Sequence, residues 1–303
     1  MCVTFWQLAD EHSGDGVRFI LAFNRDEYFE RPTKEFHIWE SHPTICAPKD
    51  MEPLSEAERG SWIGVNRRGL LAILTNYRGT DQAADGAISR GALVRDFLLE
   101  TPATPGGQVV EATSNRDIAR EYAEKVFQER ELYSGFNLVL FDLASEHMES
   151  WYVTNRGEGG GTVRRLDRGK PAGLSNSTID HPWAKVDRGL KAFADIIASR
   201  PSPDEHTVAE LMWLMRDTGP FSTACPPQRL ADLEQCIFVP PTGGPGKGLY
   251  HRGYGTRTTH VLLLRECELT IAGCSYSADG ACEAGSDGAS PSVMRFLIDA
   301  PSL

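Results

Sequence analysis

Cys2-Val-Thr-Phe-Trp-Gln-Leu-Ala9 and Val17-Arg-Phe-Ile-Leu-Ala-Phe-Asn-Arg-Asp-Glu27 decide how this chain is read. Both runs are rich in β-branched and aromatic residues, and the polar, glycine-containing stretch between them reads as a hairpin loop. Pairing Ala9 with Val17 gives an antiparallel register whose numbers sum to 26 and sets Cys2 opposite Asn24, beside Arg25 and Asp26. Asn24, Arg25, Asp26 and Glu27 close an apolar strand with four polar groups in a row. Burying such groups is costly unless each finds a partner.

The rest of the chain follows the same pattern. Ser61–Val65, the turn Asn66-Arg-Arg-Gly69 and Leu70–Asn76 read as a second hairpin. Apolar stripes at helical spacing mark Ser89–Glu100 and Asn115–Glu131, with Ser89 as an N-cap for the first. Phe136–Asp142 and Glu149–Asn155 read as strands. Pro182–Ser199 and Asp204–Met215 read as helices. Cys225–Gly255 reads as loop with a short strand over Gln235–Val239. Thr259–Arg265 and Leu269–Tyr276 read as closing strands, and Ser292–Ile298 as a segment docking back. Strands neighbour strands and helices neighbour helices, which predicts α+β architecture with antiparallel sheets, not βαβ units. The chain reads as one domain, 1–303, with 277–292 a mobile polar excursion.

The 303 residues are 41 % hydrophobic and 24 % charged, a globular profile. Lys and Arg number 31 against 42 Asp and Glu, a net charge of −11, which argues against nucleic acid as a partner. No apolar run approaches the roughly 18 residues of a membrane span. The N-terminus has neither a signal nor a transit character, so the cytoplasm is the expected compartment. Seven cysteines without C-x-x-C spacing argue against a disulfide framework or a zinc ribbon. The eight histidines show no metal-ligand spacing. Gly243–Gly248 resembles a phosphate loop but lacks the hydroxyl residue after its lysine. Cys225-Pro226 is a dipeptide of a kind found at haem ligands. Asn176-Ser-Thr178 matches a glycosylation acceptor.

Cys2 is the sharpest chemical feature. A small second residue permits removal of the initiator methionine, which would place a thiol and a free α-amine on one residue. An α-amine with a pKa near 8 is partly neutral at pH 7 and can take the thiol proton. Arg25 beside a thiolate would lower its pKa, and Asp26 would orient the amine.

Met1-Cys2, the tetrad Asn24–Glu27, W-I-G-V-N-R-R-G from Trp62, L-T-N-Y-R from Leu74, S-R-G-x-L-V from Ser89, G-F-N-L from Gly135, G-L-S-N-S from Gly173, P-W-x-K-V from Pro182 and Y-G-T-R-T from Tyr254 occur in order. Jointly this resembles the NRDE family, also called transport and Golgi organisation protein 2. The resemblance implies an N-terminal-nucleophile (Ntn) hydrolase-like αββα sandwich. It also implies a haem-transport or acyl-coenzyme A and lipid-homeostasis role, with mitochondrial or Golgi pools. A more distant similarity to bile-salt hydrolases and penicillin V acylases implies catalytic roles. Cys2 is the nucleophile, Arg25 and Asp26 flank it, Asn76 serves the oxyanion, and Asn176 and Arg257 order the site. Asn24, Arg25, Asp26, Glu27, Asn76 and Tyr77 form the implied ligand-binding set. No cofactor is required; haem enters only as a carried ligand. In those acylases the arginine and aspartate are not adjacent. Adjacent residues on an extended chain face opposite ways, so Arg25 and Asp26 share the nucleophile's side only if the strand has ended or bulges. Two function classes remain open: a cysteine acyl or amide hydrolase, and a non-catalytic binding protein.

Overall fold

The computed structural model describes residues 1–10, 16–79, 86–99, 117–144, 148–199, 204–243, 253–282 and 291–299. The chain divides into two compact units, Met1–Pro32 with Gly169–Phe296, and Thr33–Arg168 with the C-terminal residues from Leu297.

The first unit is built on a six-stranded sheet. Its strands are β1 (Cys2–Leu8), β2 (Val17–Tyr28), β10 (Ala172–Leu174), β11 (Tyr254–Arg265), β12 (Glu268–Ser275) and β13 (Ser292–Leu297), in the order β10-β1-β2-β11-β12-β13. The registered pairs of β1–β2, β2–β11, β11–β12 and β1–β10 are all antiparallel. Helices α3 (Ala184–Ser199) and α4 (Asp204–Leu214) lie on one face. There Val3, Phe5, Ile20, Ala22, Val261 and Leu263 alternate inward to meet Val186, Phe193 and Leu211. Gly189 lets α3 approach this closely, since a Cβ there would fall 2.2 Å from the Phe5 ring.

The second unit carries a seven-stranded antiparallel sheet in sequential order. It comprises β3 (Thr33–Trp39), β4 (His42–Asp50), β5 (Ile63–Asn66), β6 (Leu70–Asn76), β7 (Phe136–Asp142), β8 (Glu149–Thr154) and β9 (Thr162–Arg165). Helices α1 (Gly91–Leu98) and α2 (Ile118–Gln128) pack on it through Leu93, Phe97, Ala123 and Val126. The architecture is α+β, as the order of hairpins and helices predicts.

Several expectations are corrected. The β1–β2 register sums to 27, not 26: Cys2 pairs with Arg25 and Val3 with Asn24. The backbone bond from Ala9 N–H to the Arg18 carbonyl fixes that slip near the hairpin's loop end. The apolar pattern on both faces of β1 tolerates either register, because Trp6 and Leu8 are buried as fully as Val3 and Phe5. Strand β2 runs through the whole tetrad and on to Tyr28. Gln235–Val239 is not a strand: Phe238 N–H bonds the Asp217 carbonyl and Val239 N–H bonds the Thr256 hydroxyl. Arg90, not Ser89, is the N-cap of α1. A disulfide joins Cys274 to Cys282, because the chain turns back after Tyr276 and brings their Cα atoms within 6.2 Å. Residues 244–248 of the glycine-rich loop, 283–290 of the polar excursion, His12, His147 and His251 lie outside the described residues. Among the described residues, no helix is long and apolar enough to cross a membrane.

Candidate active site around Cys2

The end of the first sheet gathers most of the sequence-derived site residues. Cys2 is the first residue of β1. Its backbone N–H donates to Asn176 Oδ1 at 3.0 Å, and its carbonyl accepts from the Ser175 hydroxyl at 2.7 Å. Both partners follow β10 directly, so the edge pairing Thr4↔Leu174 carries the G-L-S-N-S turn to Cys2. Arg25 stands opposite Cys2 in the register and is buried, with Glu27 at 3.7 Å. Glu27 also lies 3.9 Å from Arg31 and accepts from the Tyr28 N–H.

Arg25 and Asp26 do not share the Cys2 side: β2 runs on regularly through both, and the bulge lies on the partner strand instead. Thr256 pairs with Asp26 and Thr258 with Arg25, leaving Arg257 as the extra residue of β11. Two hydroxyls three residues apart, Thr256 and Thr259, can then serve Asp26 and Asn24, which are two apart. Thr256 donates to Asp26 Oδ1 at 2.7 Å and Thr259 to Asn24 Oδ1 at 2.6 Å. Arg25 keeps the Cys2 register position, while Asp26 and Asn24 take the alternate face. Asp26 still reaches the chain end through its backbone: its N–H donates to the Met1 carbonyl at 2.5 Å, and its own carbonyl accepts from the Met1 ammonium at 2.6 Å.

Met1 is thereby fixed at both polar groups. Its ammonium also bonds the Tyr254 phenol, which donates in turn to the Asp26 carbonyl. Its side chain packs among Leu233, Cys236, Val239 and Tyr254, with Trp183 and Phe221 alongside. Burial pushes the Met1 amine below its ordinary pKa, against the pull of the Asp26 charge. Burial likewise pushes the Cys2 thiol up, opposed by the neighbouring ammonium and Arg25. It pushes the Asp26 carboxyl up as well, opposed by the ammonium and Lys185. Lys185 is itself fully buried, beside the Trp183 ring at 5.6 Å.

Other predicted residues have different placements. Asn24 is wholly buried, and its amide donates to the Met215 and Ile237 carbonyls at 2.7 and 2.9 Å, so it ties α4 and the following loop to the sheet. Arg257 directs one guanidinium nitrogen at the carbonyls of Tyr28, Phe29 and Arg31, clamping the chain beyond the tetrad. Asn76 ends β6 in the second unit, opposite Phe136 and exposed. Tyr77 follows it, its N–H bonding the Gly135 carbonyl. Residue-by-residue reading missed Ser175, Lys185, Tyr254 and Thr256, although each lies inside a motif that carried the resemblance. Among the described residues, no group of three His, Cys, Asp or Glu could hold a metal ion.

The family model described as "Transport and Golgi organisation 2" matches residues 1–271. The chain belongs to this family. It is 33 % identical over 269 residues to the transport and Golgi organization protein 2 homolog of Bos taurus, covering 87 % of this chain and 88 % of the relative. The Homo sapiens homolog is 32 % identical over the same shares. Among solved structures, a variant of conjugated bile acid hydrolase from Clostridium perfringens aligns over 100 % of this chain and 99 % of its own. Its TM-score is 0.40 and its identity 12 %. In this member of the transport and Golgi organisation 2 family, the tetrad, G-L-S-N-S, P-W-x-K-V and Y-G-T-R-T, which converge on the chain end, all lie within the matched residues 1–271.

Proposed function

We propose that this protein is a cysteine-nucleophile acyl hydrolase, acting on amide or acyl-thioester bonds, whose working form begins at Cys2. The observation that carries the reading is the set of groups around the Met1–Cys2 peptide unit. The peptide N–H is held by Asn176, the Met1 carbonyl by the Asp26 N–H, and Arg25 stands across from Cys2. With Met1 removed, the peptide nitrogen becomes an α-amine already bonded to Asn176. That amine takes the Sγ proton as the thiolate attacks the substrate carbonyl. The carbon–sulfur bond forms and the carbonyl π electrons move to oxygen, where N–H donors stabilise them. Collapse expels the amine or thiol leaving group, which takes the proton from the α-ammonium. Water then cleaves the thioester and regenerates the thiol. Asn76, in its resemblance-derived oxyanion role, belongs to this proposal.

Intact mass measurement shows whether Met1 is gone. Incubation with a simple aryl thioester then asks whether Cys2 acquires the acyl group. Cys2→Ala should show neither acylation nor turnover. A Cys2→Ala protein that turns over substrate at the wild-type rate refutes the reading.

A second reading applies to a chain that keeps Met1, whose buried amine leaves Cys2 with a raised thiol and no α-amine. In that form the protein is a non-catalytic binder of haem or acyl-coenzyme A, with Arg25 pairing a carboxylate or phosphate. Titration of haem and a long-chain acyl-coenzyme A against wild type and Arg25→Ala tests it. Equal affinity in both proteins removes Arg25 from the site.

A further inference from the structure

We infer that the space held by Met1 is the acyl subsite of the form beginning at Cys2, and that it takes an α-aminoacyl group with an unbranched apolar side chain. This rests on the hydrolase reading and narrows its substrate class to amides or thioesters of methionine-like amino acids.

The first residue is bound as a ligand would be, group by group. The side chain lies in an apolar, partly aromatic enclosure of Leu233, Cys236, Val239, Trp183 and Phe221. The ammonium has two oxygen partners, the Asp26 carbonyl at 2.6 Å and the Tyr254 phenol. The carbonyl oxygen accepts from the Asp26 N–H at 2.5 Å. An anionic group points the same way. Asp26 is only 3 % exposed, and its Oδ2 has no hydrogen-bond partner. A buried carboxylate oxygen left this way is costly unless a cation is close, and the Met1 ammonium is the first-ranked charge opposing its rise in pKa.

Removing Met1 would leave an apolar space with a carbonyl, a phenol and a carboxylate at one end and an N–H beside the thiol. A fatty or acetyl group would fill the apolar part and leave Asp26 without the ammonium, the leading charge that opposes its rise in pKa. An α-aminoacyl group brings both parts that Met1 supplies, an apolar side chain for the enclosure and an ammonium for the oxygens at its end. A substrate carbonyl would bond Sγ, three bonds from the α-nitrogen, so it would sit roughly 3 Å from the position of the Met1 carbonyl, with its oxygen still within reach of the N–H beside the thiol. Sites built around a buried polar partner discriminate strongly against analogues that lack it.

The test uses full-length protein shown by intact mass to begin at Cys2. L-methionine amide and N-acetyl-L-methionine amide are titrated by calorimetry. Cys2 acylation by methionyl and acetyl thiophenyl esters is followed by mass. We expect methionine amide to bind and the acetylated amide to bind on the order of 100-fold more weakly. We expect the methionyl ester to acylate Cys2 faster than the acetyl ester, and Tyr254→Phe to narrow that preference. Equal acylation by the two esters, with no binding of methionine amide, overturns the subsite and leaves the nucleophile intact. Binding of methionine amide without acylation by either ester supports the subsite and overturns the hydrolase reading. Absence of both overturns both.

Discussion

Asn24 opens the tetrad, and its replacement separates a structural role from a ligand-binding one. The side chain is fully buried and makes three bonds: donations to the Met215 and Ile237 carbonyls at 2.7 and 2.9 Å, and acceptance from Thr259 Oγ1 at 2.6 Å. Asn24→Ala removes all three and opens a small cavity between sheet and helices. A buried polar group stripped of its partner costs about 1–3 kcal/mol, and relaxation shares some of that loss, so we expect about 3–5 kcal/mol in all. Thr259→Val removes one of the three bonds and should cost about 1–2 kcal/mol. Because the two residues share a bond, the double variant should be less destabilised than the sum of the singles. Urea unfolding followed by tryptophan fluorescence reads these differences as midpoint shifts at constant slope. If Asn24→Ala loses less than about 1 kcal/mol while acylation of Cys2 or ligand binding collapses, the residue serves a ligand and the structural account is wrong.

Three further outcomes follow from the packing and the charges. Burial, with Glu149 nearby, pushes the Asp117 carboxyl from 3.8 up to about 6. The folded chain therefore holds a proton that the unfolded chain has released between those values, and stability should fall as pH rises through that window. Asp117→Asn keeps the helix N-cap acceptor for the Arg120 N–H and should flatten the dependence in thermal melts at stepped pH. Burial pushes Cys46 and Cys236 each up to about 12, whereas Cys225 is exposed. Iodoacetamide at pH 8 should label Cys225 first and leave the other two unmodified until the chain unfolds, as read by peptide mass. Gly189→Ala drives a methyl into Phe5 and Ile237, at 2.2 and 2.8 Å, and should lower stability by about 1–3 kcal/mol in the same urea assay.

Strands β2, β6, β7 and β11 were readable as continuous apolar runs buried on both faces, and helices α1, α2 and α3 as stripes at helical spacing. Strands β3 and β4 were not. Thr33–Trp39 is mostly charged or polar, and His42–Asp50 contains two prolines, so neither shows clean alternation. The three-residue β10 is too short for any period to register, yet it delivers Ser175 and Asn176 to Cys2. The hairpin register was misread because both faces of β1 are buried, which removes the pattern that would fix it. The bulge at Arg257 had no local signal. Its cause is long-range: two hydroxyls on β11 answer two polar side chains on β2. Cys2, Arg25, Asp26 and Asn176 were legible as candidates that meet at the chain end, whereas Tyr254 and Lys185 come forward only through their burial beside it.

The manner in which Met1 is anchored bears on how the protein should be handled at the bench. An affinity tag or reporter fused ahead of Met1 converts the buried amine to an amide, leaving a single N–H where the Asp26 carbonyl and the Tyr254 phenol are both served now. Material prepared that way would carry a wedge in the very place where Cys2 chemistry is to be measured, and a silent assay on it would report on the fusion rather than on the protein.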